Sequence, residues 1–144
     1  QVAIKQLDSQ QLDQLCSLPH PLELDFDGLR ILLCHGSPLD LNQYIYPDNP
    51  ESVIEFAESV KYEMIVMGHT HYPMLYDKTE CILVNPGSVG QPRDRIPGAC
   101  WALFDTENCS IELRREKYDS SKLIRECQFR HPELPFLSEV LTRI

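Results

Sequence analysis

The chain is poor in several features, and each shortage excludes a class of function. No apolar run approaches the roughly 20 residues needed to cross a bilayer, and Gln1-Val-Ala-Ile-Lys5 is not the charged-then-apolar start of a signal peptide. No membrane partner and a cytoplasmic setting are therefore expected. Cations are scarce, with 13 Lys and Arg against 22 Asp and Glu and a net charge of −9. That balance lacks the basic field with which proteins displace counterions from phosphates, so duplex nucleic acid is not an expected partner. The one compact basic run, Arg114-Arg115-Glu116-Lys117, is broken by an acid and reads as a solvated strand or helix face. An acidic chain that handles phosphates needs bound cations to reverse its local field. Cys-x-x-Cys pairs are missing, and the six cysteines are scattered. Cys34 and Cys81 lie inside apolar runs, so all six are read as reduced thiols in a cytosolic protein. There is no internal repeat and no low-complexity segment.

What is present fits one globular domain over residues 1–144, with 42% hydrophobic residues and a length sufficient for a sizeable core. Ser9 stands as N-cap before Leu12, Leu15 and Cys16, which predicts a short helix ended by Pro19 and Pro21. Leu22–Phe26 alternates, Asp27-Gly28 turns, and Leu29–Cys34 follows, the pattern of a hairpin whose second strand is buried. A proline-bearing loop over 37–50 leads to a helix over Glu51–Val60, with Val53, Ile54, Ala57 and Val60 on one face. Strands are expected at Met64–Met67, Pro73–Tyr76, Cys81–Val84, Cys100–Phe104 and Ser110–Arg114, with turns at Asp77-Lys-Thr79 and Asp105–Asn108. A polar helix over Ser120–Phe129 and a helical turn from Pro135 close the chain. The core is expected over about 22–119, followed by a terminal helix and tail over 120–144. This mixture predicts an α/β (α+β) layered fold.

Three apolar runs end in polar, glycine-bearing corners: Cys34-His35-Gly36-Ser37, Gly68-His69-Thr70-His71 and Asn85-Pro86-Gly87-Ser88. Ligand sites in open α/β sheets lie at the carboxyl ends of strands, so neighbouring strands would bring His35, His69 and His71 together. Neutral imidazole suits borderline divalent metals. If the His69–His71 segment is extended, both side chains point one way and serve one metal or two adjacent ones. Each histidine taken alone reads more readily as a polar cap or a hydrogen-bonded surface residue; the coincidence of three corners is what points to a ligand. The Asn85–Ser88 corner either orients a phosphate or is only a tight turn. In Gln91-Pro-Arg93-Asp94-Arg95 the two arginines either reach a phosphate or pair with Asp94. Tyr44 and Tyr46 either stack on a base or cover the core. His20 and His131, beside prolines, read as surface residues.

Gly68-His-Thr-His71 after a buried strand, then Val84-Asn-Pro-Gly-Ser-Val-Gly-Gln-Pro-Arg-Asp94, resembles the calcineurin-like metallophosphoesterases. Cys34-His-Gly-Ser-Pro38 fits the earlier histidine motif of that fold, in a form similar to the small bacterial phosphodiesterases. The resemblance covers roughly Leu22 to Asp119. It implies a two-layer β-sandwich flanked by helices, with a two-metal centre at the strand ends. His35 and His69 would bind one metal and His71 the other, with Asn85, Gly87, Ser88 and Arg93 near the substrate. Two ions, ~3.5–4 Å apart, would clamp the phosphoryl oxygens and activate a bridging water. Manganese is the expected ion, with iron, zinc, nickel or cobalt as alternatives. The implied activity is hydrolysis of a phosphoester small molecule or nucleotide.

The family also carries an Asp-x-His, a Gly-Asp supplying the bridging carboxylate, and a Gly-Asn-His supplying a ligand and the general-acid histidine. None occurs in the 144 residues. The chain is therefore expected to be the C-terminal portion of such an enzyme or a half-length relative, its N-terminal part absent. A second chain or self-association would then cover the missing half. No catalytic acid is identifiable here. The alternative is a catalytically inactive interaction scaffold, since the scaffold subunit of the retromer coat resembles the same fold.

Overall fold

Ile31-Leu32-Leu33, Met64-Ile65-Val66 and Ile82-Leu83-Val84 are apolar at consecutive positions, which suits a strand only when both of its faces are covered. In the computed structural model, which describes residues 2–59, 62–77 and 80–142, these segments form three central parallel strands. The elements are α1 (Val2–Gln6), α2 (Ser9–Cys16), β1 (Leu22–Phe26), β2 (Leu29–Leu33), α3 (Glu51–Ser59), β3 (Met64–Val66), β4 (Met74–Tyr76), β5 (Ile82–Asn85), β6 (Ala99–Asp105), β7 (Ser110–Glu116), α4 (Ser121–Arg130) and α5 (Phe136–Glu139). The five-stranded sheet has the order β1-β2-β3-β5-β4, with the edge strands β1 and β4 antiparallel to their neighbours.

Register decides which side chains go to which face. Leu32, Ile65 and Leu83 stand side by side and pack under Val53 and Ala57 of α3 and Ile45 of the 37–50 loop. Ile31, Met64 and Val84 turn the other way, against Phe104, Ile111 and Leu113 of the β6–β7 hairpin. The hairpin is thus a second sheet laid on the first, and α3 covers the opposite face. Its outward positions are amphipathic: Trp101 pairs across from Arg114, whose guanidinium lies 5.2 Å from the indole centroid. The α/β reading, a central sheet flanked by helices, is what the structure shows.

Local differences have local causes. Asp8, not Ser9, caps α2, because its carboxylate accepts from the Gln11 N–H at 2.8 Å while the Gln11 side chain accepts from the Asp8 N–H at 3.0 Å. The sequence reading missed α1. Asp27-Gly28 turns with positive φ at both residues, 55° and 89°, as a type I′ hairpin requires. The basic run is not simply solvated: Arg115 in β7 reaches back to the Asp94 carboxylate and to the Ile96 carbonyl, pinning the 91–98 loop. Val60 and the Lys78-Thr79 part of the expected turn lie outside the described residues. None of the six cysteines, all of them among the described residues, is joined in a disulfide. Burial pushes the Cys34 thiol up to about 12 and the Cys81 thiol up to about 11, which keeps both protonated at neutral pH. Among the described residues no helix is long and apolar enough to cross a membrane.

Candidate functional site

Because β2, β3 and β5 are parallel, their carboxyl ends lie along one edge, and the corners that follow them meet there. The ladder continues past the regular strands. Cys34 N–H donates to Val66 O at 2.9 Å, Met67 N–H to Val84 O at 2.8 Å and Gly68 N–H to His35 O at 2.8 Å. His35 is thereby set directly beside the Gly68–His71 loop. On its other side, the His35 N–H donates to Nε2 of His20, at 3.0 Å. His20 therefore supports the site, a role that a histidine beside a proline does not announce in sequence.

The loop is not extended. His69 and His71 both have left-handed backbones, φ 62° and 56°, and the Thr70 N–H donates to Gly68 O at 2.7 Å, a three-residue turn centred on His69. Positive φ at a non-glycine centre of such a turn is the rarer, more strained hand. The expectation that His69 and His71 project together from an extended segment is corrected accordingly. What holds the strain is Asn85, 1% exposed at the end of β5. Its amide donates to Gly68 O at 2.7 Å and to Thr70 Oγ1 at 2.9 Å, and its Oδ1 accepts from the Gly87 N–H at 2.9 Å. Thr70, also buried, was not singled out from the sequence; it is the peg between the two histidines.

The imidazoles do converge in part. His69 Nδ1 and His35 Nε2 are 2.9 Å apart, their rings meeting edge-on at a centroid distance of 4.7 Å. A hydrogen bond between them needs an N–H on one ring; in the tautomer that carries it on His69 Nδ1, Nε2 of that ring is a lone pair. That Nε2, and Nδ1 of His71, are buried with no hydrogen-bond partner among the described residues. Burial, and next the Arg93 charge, hold His71 below the usual imidazole range against the opposing pull of the Gln91 backbone, favouring the neutral form that ligates metals. Tyr44, itself exposed, lies over His69 with centroids 4.1 Å apart.

Neutral imidazole donors without partners fit a borderline divalent metal. The donor set, however, is partial: among the described residues no three His, Cys, Asp or Glu side chains gather as one ligand group. Among the described residues no carboxylate gathers with these imidazoles to complete such a group.

Of the residues expected near substrate, Gly87 takes φ 85°, and a Cβ there would come within 2.8 Å of the Cys100 Cβ. Ser88 Oγ accepts from the Gln91 N–H at 3.0 Å, and the Ser88 carbonyl accepts from the Cys100 N–H at 3.0 Å. Arg93 is exposed, and its backbone N–H donates to His71 O at 3.1 Å, which fastens the 86–98 loop to the histidine loop. Asp94 pairs with Arg115 and not with its neighbours Arg93 and Arg95.

The chain is similar in sequence and fold to several known proteins. A protein of Methanocaldococcus jannaschii, itself uncharacterized, is 30% identical over 135 residues, covering 82% of this chain and 54% of the relative. A metallophosphoesterase from Sphaerobacter thermophilus superposes with a TM-score of 0.76 at 26% identity, covering 96% of this chain and 64% of that one. A hypothetical protein from Pyrococcus horikoshii superposes with a TM-score of 0.79 at 25% identity, covering 95% and 55%. The chain spans about half the length of the curated relatives it matches. The calcineurin-like phosphoesterase superfamily domain matches residues 6–109. The chain belongs to the calcineurin-like phosphoesterase superfamily.

Proposed function

We propose that this chain supplies the histidine side of a metal-dependent phosphodiesterase site. The observation that carries the reading is the pair of buried imidazole nitrogens, His69 Nε2 and His71 Nδ1, left without partners at the strand ends. Each such atom costs about 1–3 kcal/mol unless something binds it. Members of the family generally bind two divalent ions, here manganese in preference to iron, zinc, nickel or cobalt. When bound, such ions supply Lewis acidity and a water of lowered pKa. His35, His69 and His71 would hold them. The carboxylate ligands and the general acid come from outside this histidine corner, from the remainder of a longer polypeptide or from a second chain.

The chain's other residues have defined work in this reading. Asn85 and Thr70 fix the histidine loop, and Tyr44 screens one side of His69 from water. Arg93, exposed and close enough to bias His71, offers a cation to the phosphoryl oxygens. Gly87 and Ser88 shape the wall between them. The substrate is a small phosphoester or nucleotide, and the setting cytoplasmic.

Metal binding tests this without requiring turnover. Manganese titrated into the chain should broaden the imidazole signals of His35, His69 and His71 before that of His131, and His69→Ala should weaken binding at least tenfold. Equal broadening at His131 would sink the assignment. In a polypeptide of the relatives' full length, His69→Ala should lower kcat/KM for bis(p-nitrophenyl) phosphate by ~10² or more.

One observation favours a second reading, the interaction scaffold. Leu39 and Leu41 on the loop that follows His35, and Val89 and Ile96 on the loop that follows β5, are exposed. A full-length polypeptide that binds no metal would support it.

A further inference from the structure

The rings do not stop at the histidines. Tyr44, over His69, is followed by Tyr46 with nearly parallel planes, 13° apart at 6.2 Å between centroids. Tyr46 in turn meets Tyr72 edge-on at 6.2 Å, and Tyr72 directly follows His71 in the chain. Beyond this aromatic wall opens a cleft of about 320 Å³, lined by Tyr46, Pro47, Asp48 and Tyr72. That volume lies in the range of small-molecule sites.

We infer that this cleft is a nucleobase subsite, so that the phosphoester handled at the histidines is a mononucleotide or a comparably small nucleotide derivative. The inference rests on the phosphoester reading for its phosphate end only. Three observations support it. The first is the set of faces: two tyrosine rings and a pyrrolidine offer the flat, apolar surfaces on which bases stack. The second is charge. The Asp48 carboxylate would repel a phosphate, but it accepts hydrogen bonds from the N–H edge of a base, best from guanine, which presents two adjacent donors. The base therefore lies at the Asp48 end and the phosphate at the Arg93 and histidine end. The third is rigidity. The loop carrying Tyr44 and Tyr46 is anchored by buried Ile45 and Ser37, and Ser37 Oγ accepts from the Leu39 and Asp40 N–H groups at 3.2 and 3.0 Å. At Gly36 a Cβ would stand 2.5 Å from the Leu41 carbonyl oxygen, so the loop folds back tightly on its own start. The site is thus formed before any ligand arrives, which lowers the ordering cost of binding. The net charge of −9 disfavours a long polynucleotide in the same place.

The test uses guanosine, GMP and ribose 5-phosphate, each titrated into chain loaded with zinc, a diamagnetic ion, and followed by the aromatic NMR signals. Guanosine and GMP should shift Tyr46 and Tyr72 saturably, with ribose 5-phosphate at least tenfold weaker. Tyr46→Leu and Tyr72→Leu should each weaken guanosine about tenfold with the far-UV circular dichroism unchanged. Asp48→Ala changes an exposed side chain and should also weaken guanosine about tenfold, so the proposal stays testable if a tyrosine variant unfolds. Equal binding of ribose 5-phosphate and GMP overturns the proposal, as does guanosine affinity indifferent to Asp48→Ala. Guanosine and GMP binding equally well would support the base subsite while sinking the phosphoester reading, so the two failures are distinguishable.

Discussion

Asp27 and His69 share an uncommon backbone, with φ of 55° and 62°, and hold it for opposite reasons. At Asp27 the conformation is local. A two-residue hairpin needs positive φ, Gly28 follows with φ 89°, and Asp25 Oδ1 accepts from the Gly28 N–H at 2.9 Å. Everything required sits within four consecutive residues. At His69 nothing local asks for a left-handed turn, and a β-strand has just ended. There the conformation is imposed by Asn85, whose partners lie 15 and 17 residues away in sequence. A hairpin turn relaxes the chain into its fold, whereas the histidine turn is held against its preference, and such strain persists only where surrounding structure enforces it. The enforced site is also the one with unpartnered imidazole nitrogens. Strain and unmet polar demand at one place are the marks of a surface shaped for a ligand.

Breaking the enforcement should give the largest effect. Asn85→Ala leaves the buried Thr70 hydroxyl without the amide donor and the Gly87 N–H without its acceptor, and opens a small void under the loop. A loss of about 3 kcal/mol is expected in urea unfolding, with the slope unchanged. The imidazole signals of His69 and His71 should shift even in the folded variant. A loss below about 1 kcal/mol would mean that the loop holds itself.

The second prediction isolates the backbone at His69. His69→Ala and His69→Gly both remove the ring and its contacts with His35 and Tyr44, so their difference reports the left-handed conformation. The glycine variant should be more stable than the alanine variant by about 1 kcal/mol, the reverse of the ordinary order. With Asn85→Ala already present, that difference should shrink towards zero, because the released loop no longer demands positive φ. A difference that persists would place the cause within the loop.

The same contrast explains what the sequence made legible. The buried strands could be read because Ile31–Leu33, Met64–Val66 and Ile82–Val84 are apolar on both faces, and the hairpin because Asp-Gly states its own turn. The three corners could be located because a strand's end is marked by where its apolar run stops. What could not be read depends on partners distant in sequence. Arg115 reaches Asp94 across 21 residues, so a basic run looks solvated until β7 is placed. Asn85 looks like part of a turn until β3 and β5 are neighbours. The capping of α2 by Asp8 was local and legible in principle, since Asp8 and Gln11 have capping-box spacing, but Ser9 offers an equally good cap residue one step later. The carboxylates of a complete metal site are a different matter, since no motif for them exists in these residues to be read.

The smallest effect is expected where the anomaly is local. Asp27→Asn exchanges one residue tolerant of left-handed φ for another, in a position whose side chain is exposed, and should change stability by no more than about 0.5 kcal/mol. Asp27→Ala removes that tolerance and should cost about 1 kcal/mol relative to Asp27→Gly. Unlike the pair at His69, this difference should be untouched by Asn85→Ala, since the hairpin turn carries its own requirement in Gly28 and Asp25. If Asn85→Ala erased the difference at Asp27 as well, the hairpin's conformation would depend on the sheet edge beyond β2. The distinction between a turn written locally and a turn held from a distance would then fail.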